Sequence, residues 1–369
     1  MNPSSTRAKG TAATRTDAGT DRFSPRECPQ AGECLLGGVS GNMLASTLAF
    51  RFPLGARGLA GSDPAMGKQP NEDAAVVVPL ENFAAVLDGV GGYWGGDKAA
   101  RFLSAGLLQH PADWPKAIEF ARAEMTALPF EDALKLYGSS ACFAGMRIFQ
   151  LGKSRFACIG LCGDCRMVLL RADGTILQTR DESYVMELIQ QGVIQADEAL
   201  YNEFRNRISN AIRLAFPSAI TVNPPLMVNG IPDGLSSPVE LRAGDRLVLM
   251  SDGLSDNLTP GEIQSLTAGL ELNEAYLALV STVQKRMRDS DGIVLQMIRS
   301  FLQATQPVHE KGVLDRLLAK IQASGPYTWL FHTIFQKARA HYKVFPDGFL
   351  SKPARDNLSL ILIEVDPWP

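Results

Sequence analysis

The residues best suited to chemistry are acidic side chains placed where apolar runs stop or start. Asp88 lies in FAAVLDGVGG (83–92), Asp164 in RFACIGLCGDC (155–165), Asp252 in DRLVLMSDG (245–253), and Asp356 opens DNLSLILIEV (356–365). Glu72 and Asp73 precede AAVVVPL (74–80). A carboxylate beside an apolar run is costly unless it is paired or binds a cation. If these ends converge, mutual repulsion raises the carboxyl pKa values and destabilises the fold. Divalent cations remove that repulsion, and oxygen-only ligands favour magnesium or manganese over zinc. Two such ions side by side would activate a bridging water near neutral pH and polarise a phosphoryl oxygen. A single Asp-Gly step is more often just a turn. A set of strand-end aspartates is harder to assign to turns.

The elements that must position these groups read mostly as strands. Residues 74–80 and 83–92 suggest a hairpin across Glu81-Asn82, and 155–165 with 166–174 suggest a second. Residues 245–253 and 356–365 are further strands, rich in Val, Ile and Leu. Helices are expected over 97–108, 114–128, 131–136, 184–191, 260–266, 273–305 and 314–342. Hairpin-like strands with helices between some of them predict an α+β sandwich rather than a doubly wound parallel sheet. Residues 1–33 are rich in Ser, Thr, Gly and Pro and are expected to be a disordered tail before one domain over 34–369.

The formal charge of −3 argues against a nucleic-acid partner or an anionic membrane held by bulk charge. No stretch has the length and apolarity of a membrane span. Six cysteines are too sparse for a disulfide framework, which points to a soluble chain of a reducing compartment, the cytoplasm. The N-terminal segment leaves an organelle address open. Cys158, Cys162 and Cys165 have the C-x3-C-x2-C spacing of an iron–sulfur site. The first two share one face of a strand, so they read as core fillers. The glycines of GVGGYWGG (89–96) fail the dinucleotide spacing at Trp94.

Taken in order, NEDA (71–74), VLDGVGG (86–92), GSSA (138–141), GDCR (163–166), SDGLSDNL (251–258) and DNLS (356–359) resemble the metal-dependent protein phosphatase family, also called protein phosphatase 2C or PPM. The resemblance covers about 45–365. It implies a central antiparallel β-sandwich flanked by helical layers, in the order α-β-β-α. Asp88 would bridge two manganese or magnesium ions, with the Gly89 carbonyl on one of them. Asp252 and Asp356 would complete the other shell. Glu72 and Asp73 would bind directly or through water, and Asp164 and Asp256 match the positions of a third, looser metal. Lys68 falls where many members place a phosphate-binding arginine. As a lysine it offers a point charge without a bidentate fork.

Three positions depart from the family pattern. Val90 stands where some members carry a histidine, Cys165 replaces the serine of GDSR, and Glu182 in TRDES (179–183) replaces a histidine. The implied function is hydrolysis of phosphoserine and phosphothreonine in proteins, opposing a kinase, by in-line attack of the activated water. The alternative is a pseudophosphatase that binds phosphoproteins without turnover. The intact aspartates favour catalysis. Between Asp252 and Asp356 lie 103 residues, so the helix-rich stretch over about 268–345 is a candidate insertion.

Overall fold

A computed structural model describes residues 26–27, 34–37, 47–64, 70–90, 95–194, 204, 207–234, 237–305 and 356–367, the side chains of 26–27, 34–37 and 289–305 excepted. Its strands are β1 (Arg26–Glu27), β2 (Cys34–Gly37), β3 (Leu48–Phe52), β4 (Ala56–Asp63), β5 (Asp73–Val78), β6 (Phe83–Val90), β7 (Ser140–Leu151), β8 (Ser154–Cys162) and β9 (Arg166–Leu170). They continue as β10 (Ile176–Gln178), β11 (Ile212–Arg213), β12 (Thr221–Val222), β13 (Met227–Val228), β14 (Ile231–Pro232), β15 (Val239–Leu241), β16 (Arg246–Met250) and β17 (Leu358–Val365). The helices are α1 (Gly96–Gln109), α2 (Trp114–Thr126), α3 (Phe130–Lys135), α4 (Tyr184–Gln190), α5 (Asp252–Ser255), α6 (Pro260–Thr267) and α7 (Leu272–Thr305).

The strands form two sheets. One has the order β1-β3-β4-β17-β16-β9-β10-β13-β14; the other has β12-β8-β7-β6-β5-β2, with β11 on β7 and β15 on β8. All pairs are antiparallel except β1 with β3. Alternation along each strand sorts the side chains into layers. Ala84 and Val86 of β6 join Leu247, Leu249, Ile361 and Ile363 in a core between the sheets. Phe83, Ala85 and Leu87 instead face Leu103, Leu107 and Trp114 of α1 and α2. Val248, Leu360 and Leu362 on the other sheet face Leu254, Ile263, Tyr276 and Leu279 of α5, α6 and α7. The result is the α-β-β-α layering expected.

The first hairpin forms as expected. A 3-10 turn, Pro79–Glu81, and Asn82 at φ 53° join β5 to β6. The second does not. β8 pairs with β7 in one sheet, while β9 pairs with β16 and β10 in the other. The chain changes sheets at Gly163, whose φ of 89° favours glycine. A Cβ there would also collide with Cys142 Sγ. The apolar runs on either side of Gly163 look alike in sequence, so the crossing between sheets is not visible there. The true partner of β8 is β7, which carries the GSSA motif at its start.

α7 confirms helix over 273–305. The rest of the candidate insertion, the helix expected over 314–342, and Lys68 lie outside the described residues. Of the expected tail, the strand Arg26–Glu27 is described. Among the described residues no helix is long and apolar enough to cross a membrane.

Candidate active site

The core between the sheets turns polar at one end. Ala75 and Val77 of β5 face the other sheet, so Asp73, two residues before Ala75, lies in the same row. The same alternation places Asp88 after Val86, Ser251 after Leu249, Ser359 before Ile361, and Ser62 after Ala60. Asp73 and Asp88 are directly opposite each other, and Asp88 is opposite Cys142 on its other side. Beneath the carboxylates runs a buried hydrogen-bond chain. Asn71 Nδ2 donates to Ser62 Oγ (2.9 Å), Ser359 Oγ to the same oxygen (2.8 Å), and Ser359 N to Ser251 Oγ (3.0 Å). Ser251 Oγ donates to Asp73 Oδ2 at 2.6 Å, and Asp73 N donates to Asn71 Oδ1 at 3.1 Å. This chain ties three of the ordered motifs together. The prediction of acidic ligands omitted Ser62, Asn71, Ser251 and Ser359. Their period-two placement, within the strands for Ser62 and Ser359 and just beyond the strand ends for Asn71 and Ser251, is the signal that could have found them.

Of the acidic residues named from the sequence, Asp73, Asp88, Asp164, Asp252, Asp256 and Asp356 lie within electrostatic reach of one another. Burial first, and then Asp73, Asp252, Asp164 and Asp356, push the Asp88 carboxyl well above its ordinary range. Asp252 is raised by burial and then by Asp356, Asp164, Asp256 and Asp73. Asp164 is pushed up to about 6, chiefly by burial, with a Cys142 hydrogen bond working in the opposite direction. Asp73 is 2% exposed, whereas Asp88, Asp164, Asp252, Asp256 and Asp356 keep partial contact with solvent. They therefore line a floor that ions and water can reach. Asp252 starts α5, and Gly253 packs so tightly on the Asn357 backbone that a Cβ would collide with the Asn357 carbonyl. That contact sets Asp252 beside Asp356.

The donor set fits a hard divalent cation. Buried Asp164 Oδ1 and Asp252 Oδ1 accept no hydrogen bond. A Cβ on Gly96 would stand 2.7 Å from the Gly89 carbonyl oxygen and 2.9 Å from Glu72 Oε1, so the missing side chain leaves two oxygens facing one point. Gly89 N donates to the Glu72 carbonyl at 3.0 Å, which fixes this corner. Arg166 lies near Asp164 and Asp256 but is held by Asp181, Nε to Oδ1 at 2.9 Å and Nη2 to Oδ2 at 2.5 Å. Among the described residues no three His, Cys, Asp or Glu side chains already close at ligand spacing around one point.

The cysteines take no such role. Cys142 and Cys165 are fully buried, and burial pushes both thiols up, so neither offers a thiolate. Cys162 faces the helices while Cys165 faces the inter-sheet core, which separates the C-x3-C-x2-C residues into different layers.

No family model matches the chain. The serine/threonine protein phosphatase PstP of Mycobacterium tuberculosis is 29% identical over 246 residues, 63% of this chain. The chain spans 41% of that relative's length. The crystal structure of the M. tuberculosis phosphatase PstP/Ppp superposes with a TM-score of 0.55 at 20% identity, covering 85% of this chain and 100% of that one. A bacterial serine phosphatase gives a TM-score of 0.53 at 19% identity, covering 84% and 97%. The chain therefore has the fold of these serine/threonine phosphatases.

Proposed function

We propose that the chain is a metal-dependent protein serine/threonine phosphatase. The observation that carries this reading is the convergence of Asp88, Asp252 and Asp356, from three motifs far apart in sequence, on one partly exposed floor. Asp88, Asp252, Asp356 and the Gly89 carbonyl would hold two manganese or magnesium ions, with Glu72 and Asp73 bound directly or through water. Asp164 and Asp256 would hold a third. The bound ions would supply an activated water and neutralise charge on the phosphoryl oxygens.

The chain's own groups do the positioning. Ser251 fixes the Asp73 carboxylate, and the Gly89–Glu72 backbone bond fixes the corner beside Gly96. Val90 cannot protonate a leaving oxygen, so that proton comes from solvent water at the open floor. No nucleophilic side chain is required, in keeping with the buried, protonated thiols. The substrates are phosphorylated proteins, the opposing activity is a serine/threonine kinase, and the compartment is the cytoplasm. The pseudophosphatase reading is disfavoured because every metal-site aspartate of the family pattern is present.

The test is release of phosphate from a phosphothreonine peptide. Turnover should require manganese or magnesium, stop with EDTA, and be abolished in Asp88→Asn and Asp252→Asn. Metal-independent turnover, or full activity in either variant, would contradict the assignment.

A further inference from the structure

The turn that carries Asp164 is gripped on both sides by the segment 180–183. On one side Asp181 holds Arg166 through two bonds of 2.9 and 2.5 Å. On the other, Glu182 N donates to the Gly163 carbonyl at 2.8 Å, and Gly163 N donates back to Glu182 Oε2 at 3.1 Å. The Glu182 carboxylate reaches further. Oε2 also accepts from Asn210 Nδ2 at 2.8 Å, and Oε1 accepts from Thr221 Oγ1 at 3.0 Å. Ser209 N donates to the Glu182 carbonyl at 2.9 Å. One residue thus joins the crossover between the sheets, the 209–210 segment and strand β12. Gly163 needs such a restraint, because its left-handed backbone is open to many conformations in the absence of partners.

We propose that Glu182 is a positioning residue that sets the place of Asp164 in the acidic floor and links it to the 209–221 segment. The proposal rests on the phosphatase reading above. Glu182 touches neither substrate nor metal. It acts through the Gly163 peptide, one residue from the ligand. Glutamate suits this role, since one carboxylate accepts bonds from a backbone amide, a side-chain amide and a hydroxyl at once. An imidazole could accept only one.

The test is manganese binding by calorimetry on the full chain, as Glu182→Ala, Glu182→Gln and the unmodified protein, with thermal melts of each metal-free form. Partners of metal ligands typically govern affinity by about 10–100-fold. Glu182→Ala should therefore weaken the loosest manganese site by at least about tenfold while the tighter sites change little. Glu182→Gln keeps one carbonyl acceptor and should fall between the two. If Glu182→Ala does not fold, Glu182→Gln alone decides, with a selectively weakened loose site as the expected result. Manganese binding unchanged in the folded variants, or weakened equally at every site, would overturn the proposal. Failure of the unmodified chain to bind manganese would overturn the phosphatase reading first, and this inference with it.

Discussion

Ser251 donates its hydroxyl hydrogen to Asp73 Oδ2 at 2.6 Å, although the two residues are 178 positions apart. Ser251 Oγ also accepts from Ser359 N, so one hydroxyl connects three strands beneath the acidic floor. Both residues are buried, and the bond forms where the inter-sheet core changes from apolar to polar. A site that gathers like charges needs such fixed partners below it, because repulsion alone would drive the strand ends apart.

Ser251→Ala removes a donor to Asp73 and an acceptor from Ser359. Urea unfolding of the metal-free protein should show a loss of about 1–3 kcal/mol, the cost of leaving buried polar groups unsatisfied. A change within the error of the unmodified protein would mean the chain of bonds does not support the floor.

Gly96→Ala fills the point faced by the Gly89 carbonyl and Glu72 Oε1. That Cβ would collide with the Gly89 backbone, so the corner must shift and the metal-free melting temperature should fall. The manganese concentration for half-maximal turnover of the folded variant should rise as well. An unchanged manganese requirement would remove these two oxygens from the site.

The acidic floor also predicts a pH dependence. The Asp164 carboxyl is raised to about 6 in the folded chain, and burial and neighbouring carboxylates push Asp88 and Asp252 in the same direction. A carboxyl raised on folding stabilises fully below its unfolded value, and that contribution is lost as pH rises through the folded value. Metal-free protein should lose this contribution from about pH 4 through 6 and above. Manganese should therefore raise the melting temperature more at about pH 7.5 than at about pH 5. Equal shifts at both pH values would contradict the account.

The far end of the sandwich supplies a control. Asp245 is 1% exposed and pairs with Arg171, Oδ2 to Nη1 at 2.5 Å, and accepts from Arg242 N at 2.8 Å. Asp245→Ala strands a buried guanidinium and should cost about 3–5 kcal/mol in urea unfolding. Its half-activating manganese concentration should match that of the unmodified protein. A changed metal requirement would show that the two ends are not independent.

Much of this arrangement was legible in the sequence because strand periodicity and turn chemistry are local. The β5–β6 hairpin followed from two apolar runs and a short polar turn. The aspartates proposed as ligands stood out because carboxylates are costly beside such runs. The β8–β9 crossing was not legible, since which sheet a strand joins depends on partners far away. Gly163 alone marks it, and a glycine between two strands reads equally well as a hairpin turn. The serines under the floor were missed for a related reason. A hydroxyl at the end of a strand carries no charge to explain, and its partner becomes visible only when the sheets are stacked.

The most direct test is crystallography of the chain soaked in manganese, with anomalous scattering to locate the ions. The account predicts two strong peaks bounded by Asp88, Asp252 and Asp356, the first lying also beside the Gly89 carbonyl. Peaks elsewhere, or none on the floor under conditions in which the protein hydrolyses a phosphopeptide, would contradict it.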